Sequence, residues 1–413
     1  MDLTTMWKIG TSLQILMASG SFVASLGLAI MIVRTNGTRK KNKTREENQP
    51  DDQQGQSSSS SVLPWKIVRK HRRPEEKEGN LLSRIMFCIA ISDVLQSLGI
   101  LLGPFLVEKE KAEIALWAVG NRASCVFDGI IFLAGACWVP LFTASLALYY
   151  YCKMSKRMSN EQFVIRVGEW LIIFNLFFVL TILFVVVSTG ALQTIETGVL
   201  CMIKPSHMID SDNIYKGTMA VLKALSFIAI PVASMGVILI SLSLLLREIY
   251  VKEQMFSSSK EEEQKQEQEQ HFEDDASRIR QSLAKSYKQE MTSQVILYSA
   301  AFILCYLPWI ASNFMYVLKK TPPNMLLFLL QAIFPSGGMF NILIFTRPAT
   351  KVVRTKSNFQ ISRFKAFWIV FCNGGVVPDQ DFRSDDDNVQ KNDEGSENEH
   401  IQGSLNLNNL DCH

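Results

Sequence analysis

The sequence predicts an all-α membrane protein, a seven-transmembrane helix bundle with its N-terminus outside and its C-terminus in the cytoplasm. Three observations predict it. Hydrophobic residues make up 48% of the 413, and they are bunched into runs of the roughly 20 residues a membrane helix needs. There are seven such runs, at about 11–33, 83–106, 124–151, 167–189, 217–246, 291–318 and 325–345. The loops between them alternate between strongly and weakly basic. Helices are expected because lipid offers the backbone no hydrogen-bond partners. The ten-residue alternating segments of a barrel are not seen.

Each segment has its own reason. The first run starts about ten residues in and lacks the basic opening of a signal peptide, so it reads as a mature helix behind a short outer segment, 1–10. Loop 34–84 carries thirteen Lys and Arg, loop 152–166 four, loop 247–290 eight and the chain after 345 eight. The N-terminus and the other three loops carry eight together. Basic loops stay in the cytoplasm, which fixes the orientation. The sequons at Asn36 and Asn42 lie in a loop that this rule places inside.

The polar inner loops 34–82 and 248–289 are expected to be linkers. They include QQGQSSSSS and SSSKEEEQKQEQEQHFEDD, which bury too little apolar surface to fold alone. The helical domain is thus 11–346. Segment 347–378 contains FQISRFKAFWIVFC, which suits a short helix lying on the inner membrane face. Residues 379–413 read as an acidic disordered tail.

Ionisable residues inside the runs are functional candidates, because burying them is expensive. Asp93 sits mid-run and needs a polar partner in the bundle, for which Asn341 of run seven is suited. Asp128, Glu169 and Lys223 lie near run ends, where long side chains reach the interface. None of the five histidines lies in a run, which removes the usual ligands of a membrane zinc hydrolase. Run seven has no lysine for a Schiff base, and no phosphate-cradling glycine loop is evident. No metal, cofactor or nucleic acid is expected. Pro104, Pro140, Pro231, Pro308 and Pro335 each permit a kink.

Of the eight cysteines, only Cys125 and Cys201 fall on the oxidising side in this topology, and they are expected to pair. Cys152 and Cys372 are juxtamembrane on the inner side and are candidates for palmitoylation.

Seven helices, an outer N-terminus and a cysteine atop run three matched by one in the second outer loop resemble a G-protein-coupled receptor. Trp170 in run four and Pro231 in run five fit that pattern. CYLPW, with Tyr306 and Pro308, resembles the Cys-Trp-x-Pro of its sixth helix. PSGGMFNILIF keeps Asn341 and puts Phe345 where Asn-Pro-x-x-Tyr has its tyrosine. The spacing Pro-x-x-Gly-x-x-Asn, with GVLCMI and CVFDG, is similar to the cyclic-AMP-receptor-like and glucose-receptor-like group of microbial eukaryotes. The rhodopsin-like family is the second choice.

The resemblance implies a plasma-membrane receptor, not an enzyme. Its partners would be an unidentified extracellular ligand and a heterotrimeric G protein, with adenylate cyclase as a possible effector. The short outer segment implies that the ligand enters the bundle. Asp128, Trp138, Trp309 and Gln331 are the candidate wall residues, with helix packing as the plainer role of each. Asp93, Tyr306, Pro308, Asn341 and Phe345 are the candidate transduction residues. The alternatives are a transporter or channel, against which the lack of repeated halves counts, and a scaffold that couples to nothing.

Tyr149-Tyr150-Tyr151 raises a further choice. It lies 25 residues, or about 37 Å of helix, beyond Cys125. That is where rhodopsin-like receptors carry Asp-Arg-Tyr, so the charged lock of that family is absent. The three rings serve either as an interfacial anchor or as part of the G-protein cavity.

Overall fold

The computed structural model describes residues 3–47, 74–109, 118–154, 161–190, 192–194, 201–203, 225–263, 275–318, 323–357 and 361–373. In order they form α1 (Leu3–Glu47), α2 (Pro74–Leu106), α3 (Arg122–Met154) and α4 (Glu161–Ser188), then strands β1 (Leu192–Thr194) and β2 (Cys201–Ile203). After these come α5 (Ile230–Glu263), α6 (Asp275–Val317), α7 (Asn324–Ile333), α8 (Gly337–Lys356) and α9 (Arg363–Cys372).

Six stretches among the described residues are long and apolar enough to cross a bilayer: Ile9–Gly37, Leu81–Leu106, Arg122–Lys153, Arg166–Ser188, Leu225–Glu248 and Thr292–Met315. The seventh run, expected as one helix over 325–345, carries a 3₁₀ turn within a continuous right-handed helical path. α7 ends at Ile333, a 3₁₀ turn spans Phe334–Ser336, and α8 begins at Gly337. Pro335 has no N–H to give the helical ladder, and two glycines follow it. The fifth run also departs from regularity, opening as a π turn over Leu225–Ala229 before α5. Its expected start, 217–224, and Lys223 lie outside the described residues.

The helices outrun the membrane on the inner side. α1 continues through Asn36 and Asn42 to Glu47, and α5 continues to Glu263. These parts of the expected linkers are helical because Lys, Arg, Glu and Gln are good helix formers. Extending an existing helix also avoids the cost of a new nucleus.

The described residues cluster as two units, Met1–Ala29 with Asn48–Ile344, and Ile30–Glu47 with Phe345–His413. In the first unit α3 is the central post, packed on α2, α4, α5 and α6. It buries 78% of its most apolar window, against 28% for α4, whose outer face carries Trp170, Phe177 and Phe184 toward lipid. Trp170 is 66% exposed, so it takes no part in the interior. The α2–α3 contact is close because Gly135 lies on the backbone of Gln96, leaving no room for a Cβ.

The outer end of α3 is fixed twice. Asn121 and Ser124 cap it reciprocally, Ser124 N–H to Asn121 Oδ1 at 2.9 Å and Asn121 N–H to Ser124 Oγ at 2.8 Å. A disulfide then joins Cys125 to Cys201, with the two Cα atoms 5.4 Å apart. It ties the β1–β2 hairpin, in which Thr194 faces Cys201 in antiparallel register, to the top of α3. A disulfide of this kind typically contributes ~2–4 kcal/mol.

In the second unit α8 continues to Lys356, and α9 is capped by Ser362, whose hydroxyl accepts from the Lys365 N–H at 3.2 Å. Ala366, Ile369 and Val370 of α9 bury against Val353, while Phe364 and Trp368 face outward. This is the amphipathic helix expected in 347–378. The 379–413 tail lies outside the described residues.

The 3₁₀ turn in the seventh segment makes a testable demand on Gly338. A Cβ there would fall on Ser25 Oγ, at 2.6 Å from Ser21 Oγ and at 2.8 Å from the Ser21 carbonyl. Gly338→Ala is expected to lower stability by about 1–3 kcal/mol, read as a fall in the melting midpoint of purified protein. An unchanged midpoint would show that α1 and α8 need no such approach.

Candidate functional site

A set of buried polar side chains crosses the interior between helices. Asp93, on α2 and 2% exposed, accepts a hydrogen bond from the Asn341 amide of α8 at 2.5 Å. One turn outward on the same face of α2, Gln96 Oε1 accepts from the Tyr306 hydroxyl at 3.0 Å. Cys305 Sγ lies 4.0 Å from Ser336 Oγ in the 3₁₀ turn, and that hydroxyl donates to the Ile333 carbonyl at 2.6 Å. The Gly338 N–H lies in the first turn of α8, where helix N–H groups commonly lack intrahelical partners. Ser21 Oγ of α1 accepts it at 3.0 Å. α1, α2, α6 and the seventh segment thus meet through hydrogen bonds that satisfy buried polar groups, as membrane interiors require.

Outward of this layer lies an aromatic cluster. Trp309 stacks on Phe334, centroids 4.6 Å apart at 11°. Phe132 of α3 and Phe227 of the π turn meet Trp309 edge to face at 6.0 and 5.6 Å. Tyr306 meets Phe334 at 5.4 Å and stacks on Phe302 at 4.5 Å. Pairs of this geometry add about 0.5–1.5 kcal/mol each beyond burial. Pro308 sits between Tyr306 and Trp309 and removes the ladder bond to the Leu304 carbonyl, so α6 is weakest where the cluster grips it.

At the inner end, Tyr149 and Tyr150 are 4% and 2% exposed, with rings 5.8 Å apart, while Tyr151 is half-buried. Rings so enclosed do not anchor at an interface, so the anchor expectation fails for the first two. The Tyr150 hydroxyl donates to Gln294 Oε1 of α6 at 3.4 Å. This contact joins α3 and α6 where the charged lock is missing from the sequence.

The other candidates distribute as follows. Trp309 is central to the cluster. Asp128 is fully buried one turn into the bundle from Cys125. Trp138 is not a wall residue: its indole N–H donates to the Asn175 carbonyl at 3.2 Å, making it a strut between α3 and α4. The Gln331 side chain lies outside the described residues, and Phe345 is half-buried in the second unit. Glu169 pairs with Arg84 at 3.3 Å, both about half exposed, so the bond is worth little. Cys152 is buried with 7% exposure, and Cys372 is half-buried near the end of α9.

Gln96, Gln294, Phe132, Phe334 and Ser336 are site residues that sequence reasoning missed. Gln96 had a signal, because it lies three residues from Asp93 and so on the same helix face. The aromatic rings had none, since they read as ordinary apolar positions.

No protein-family model and no curated protein matches the chain. Among solved structures, it is similar to squid rhodopsin, with a TM-score of 0.51 over 94% of this chain and 93% of that one, at 14% identity. At that identity the likeness concerns the fold alone. The fold is a multi-pass helical membrane bundle similar to that of squid rhodopsin, all-α but for the small hairpin.

The Asp93–Asn341 bond gives a sharp expectation. Asn341→Leu leaves a buried carboxylate without its donor and is expected to cost about 2–4 kcal/mol. In an Asp93→Leu background the same change is expected to cost far less, because no carboxylate remains to be satisfied. Equal losses of melting temperature in both backgrounds would contradict the coupling.

Proposed function

We propose that this chain is a signalling receptor that takes a ligand into the outer half of its bundle and activates a heterotrimeric G protein at its inner end. One observation carries the reading. The contacts that join helices run from the aromatic cluster around Trp309, through Gln96–Tyr306 and Asp93–Asn341, to Tyr150–Gln294. They cross at the two places, Pro308 and Pro335, where the helical ladder is interrupted. Interhelical hydrogen bonds in membranes average about 0.6 kcal/mol, so such a set is readily exchanged for another.

In this mechanism the ligand moves Trp309 and Phe334, α6 pivots at Pro308, and the Tyr150–Gln294 contact opens. The inner ends of α3 and α6 then part to admit the G protein. A ligand shifts the two states only by its difference in affinity for them. Work of this sort needs no catalytic group. The cyclic-AMP-receptor-like subgroup rests on the motifs PSGGMFNILIF, GVLCMI and CVFDG. The basic inner loops favour a cytoplasmic C-terminus. A transporter is the competing reading, and the continuous α3 post through the middle of the first unit speaks against a midplane substrate path.

Nucleotide exchange on purified heterotrimers, with the receptor in lipid nanodiscs, tests the reading. Tyr150→Phe removes the hydroxyl bridge and keeps the ring, so it is expected to raise basal exchange about two- to ten-fold at unchanged surface expression. Solute flux without exchange would replace the receptor reading by the transporter one.

A further inference from the structure

α4 is the least enclosed of the six spans, with 28% of its most apolar window buried, and its mean hydropathy of 2.9 is the highest. Its back is bound to α3. The Trp138 indole donates to the Asn175 carbonyl, and the Asn175 amide donates to Ser145 Oγ at 2.8 Å. The opposite face is therefore held outward in one orientation. Trp170, Phe177 and Phe184 are its most exposed large apolar residues, at 66%, 72% and 73%. They recur every seven residues. Phe174, Thr181 and Ser188, also exposed, lie four residues after each of them.

Lipid alone does not ask for this pattern. Among the described residues, the exposed large apolar side chains of the α1 and α5 spans are all aliphatic. α2, α3 and α6 expose one ring each, Phe105, Phe127 and Phe314, while α4 exposes four. Aromatic belts form at the two membrane surfaces, but Phe177 lies eleven residues from either end of the Arg166–Ser188 span. A strict seven-residue repeat is the spacing that keeps one stripe of a helix against a parallel partner, through a left-handed supercoil. Small residues between large ones let two backbones approach in a membrane. Thr181 and Ser188 donate to the Phe177 and Phe184 carbonyls of their own helix, at 2.9 and 2.7 Å, so covering the stripe strands neither hydroxyl proton.

The size and charge of the face suit a second copy. Apolar burial by itself drives no association in lipid, whereas ring pairs attract beyond their area. The four rings present about 500 Å². Ile173 and Leu180 beside them bring the face toward the roughly 600 Å² per partner at which specific interfaces begin. At the inner end Arg166 and Glu169 are both exposed next to Trp170. One charge of each sign makes that end self-complementary, Arg166 of one copy toward Glu169 of the other.

We propose that the Trp170–Phe177–Phe184 stripe of α4 is the interface of a parallel, two-fold dimer with a second copy of this chain. Two copies inserted the same way up are related by an axis along the membrane normal, so each layer of the stripe meets its own counterpart. The proposal needs only the membrane fold and stands apart from the receptor reading.

The test uses the full chain in lipid vesicles and reads energy transfer between donor- and acceptor-labelled copies over a range of protein densities. Transfer is expected to saturate at a dimer. The triple variant Trp170→Leu, Phe177→Leu, Phe184→Leu keeps the face apolar and removes the rings, and it is expected to weaken association at least about ten-fold. Val232→Leu with Ile240→Leu on the α5 face is expected to leave it unchanged. Under mild oxidation Thr181→Cys is expected to link two copies. Leu176→Cys, about 100° away from Phe177 around α4, is not. Should the triple variant fail to fold, the two cysteine positions decide. Monomers at every density would leave the rings to lipid and overturn the dimer. So would undiminished association of the triple variant, or equal linking at the two positions. None of these readouts involves a G protein, so failure of the dimer and failure of the receptor reading are distinguishable.

Discussion

A carboxylate in the middle of an apolar helix has to be satisfied from another helix, and the interior of this protein is arranged around that requirement. Asp93 takes the amide of Asn341. For the amide to reach it, the last helix must sit in one register against α2. The 3₁₀ turn at Pro335 supplies the freedom to reach that register, and the N–H groups it releases need new acceptors. Ser21 supplies one, which brings α1 so close to α8 that only glycine fits at position 338. One charge thus sets the partner, the 3₁₀ turn, the cap and the close approach in succession. No step is strong by itself in a lipid setting, where such bonds average about 0.6 kcal/mol. What makes the set hold is that each bond, if lost, leaves a polar group with nothing else to bind.

α3 transmits what this layer does. It is pinned at the top by Asn121, Ser124 and the disulfide, wedged in the middle by Gly135 against α2, and enclosed at the bottom by Tyr149 and Tyr150. A post held at so many points is a poor moving part and a good reference. α6 has the opposite character. It carries the proline, its ladder is interrupted between Tyr306 and Trp309, and its ties to neighbours are single hydrogen bonds and ring contacts. Motion of α6 against a fixed α3 follows from that asymmetry.

Much of this was legible in the sequence, and the parts that were not share a cause. Long apolar runs and the asymmetry of basic loops announce helices and their order, because the bilayer penalises any other reading. Asp93 announced Asn341 for the same reason: a lone charge in an apolar run has few possible partners. The roles of Trp138, Tyr149 and Tyr150 stayed open in the sequence because an aromatic side chain suits an interface, a cavity wall and a packed core alike. Only the direction in which each ring points separates these, and α3 is buried on so many sides that its rings point inward. The 3₁₀ turn of the seventh segment was half visible, as Pro335 and two glycines signal weakness without saying whether a kink, a turn or a full break results. The helical ends of the inner loops were hidden because a polar, charged stretch has the same composition as a linker and as a solvated helix.

The missing charged lock has an energetic consequence. An ion pair at the inner end would hold α3 and α6 together by direct attraction and would have to be broken by whatever activates the bundle. A neutral hydroxyl–amide contact at 3.4 Å is long for a bond of its kind and contributes little. The closed arrangement is then held chiefly by packing, above all the stack of Trp309 on Phe334 and the rings around it. Packing of that kind is bistable, since interlocked side chains occupy one arrangement or another and rarely an intermediate. On the proposed reading, a ligand seated against Trp309 would act on the element that stores most of the preference for the closed state. A coupling of about 1–3 kcal/mol, ordinary for two linked sites, is enough to reset it. On that reading the place where the ligand touches the bundle and the place where the bundle resists opening would be the same ring cluster, and the lock would lie near the outer half of the membrane instead of at its inner face.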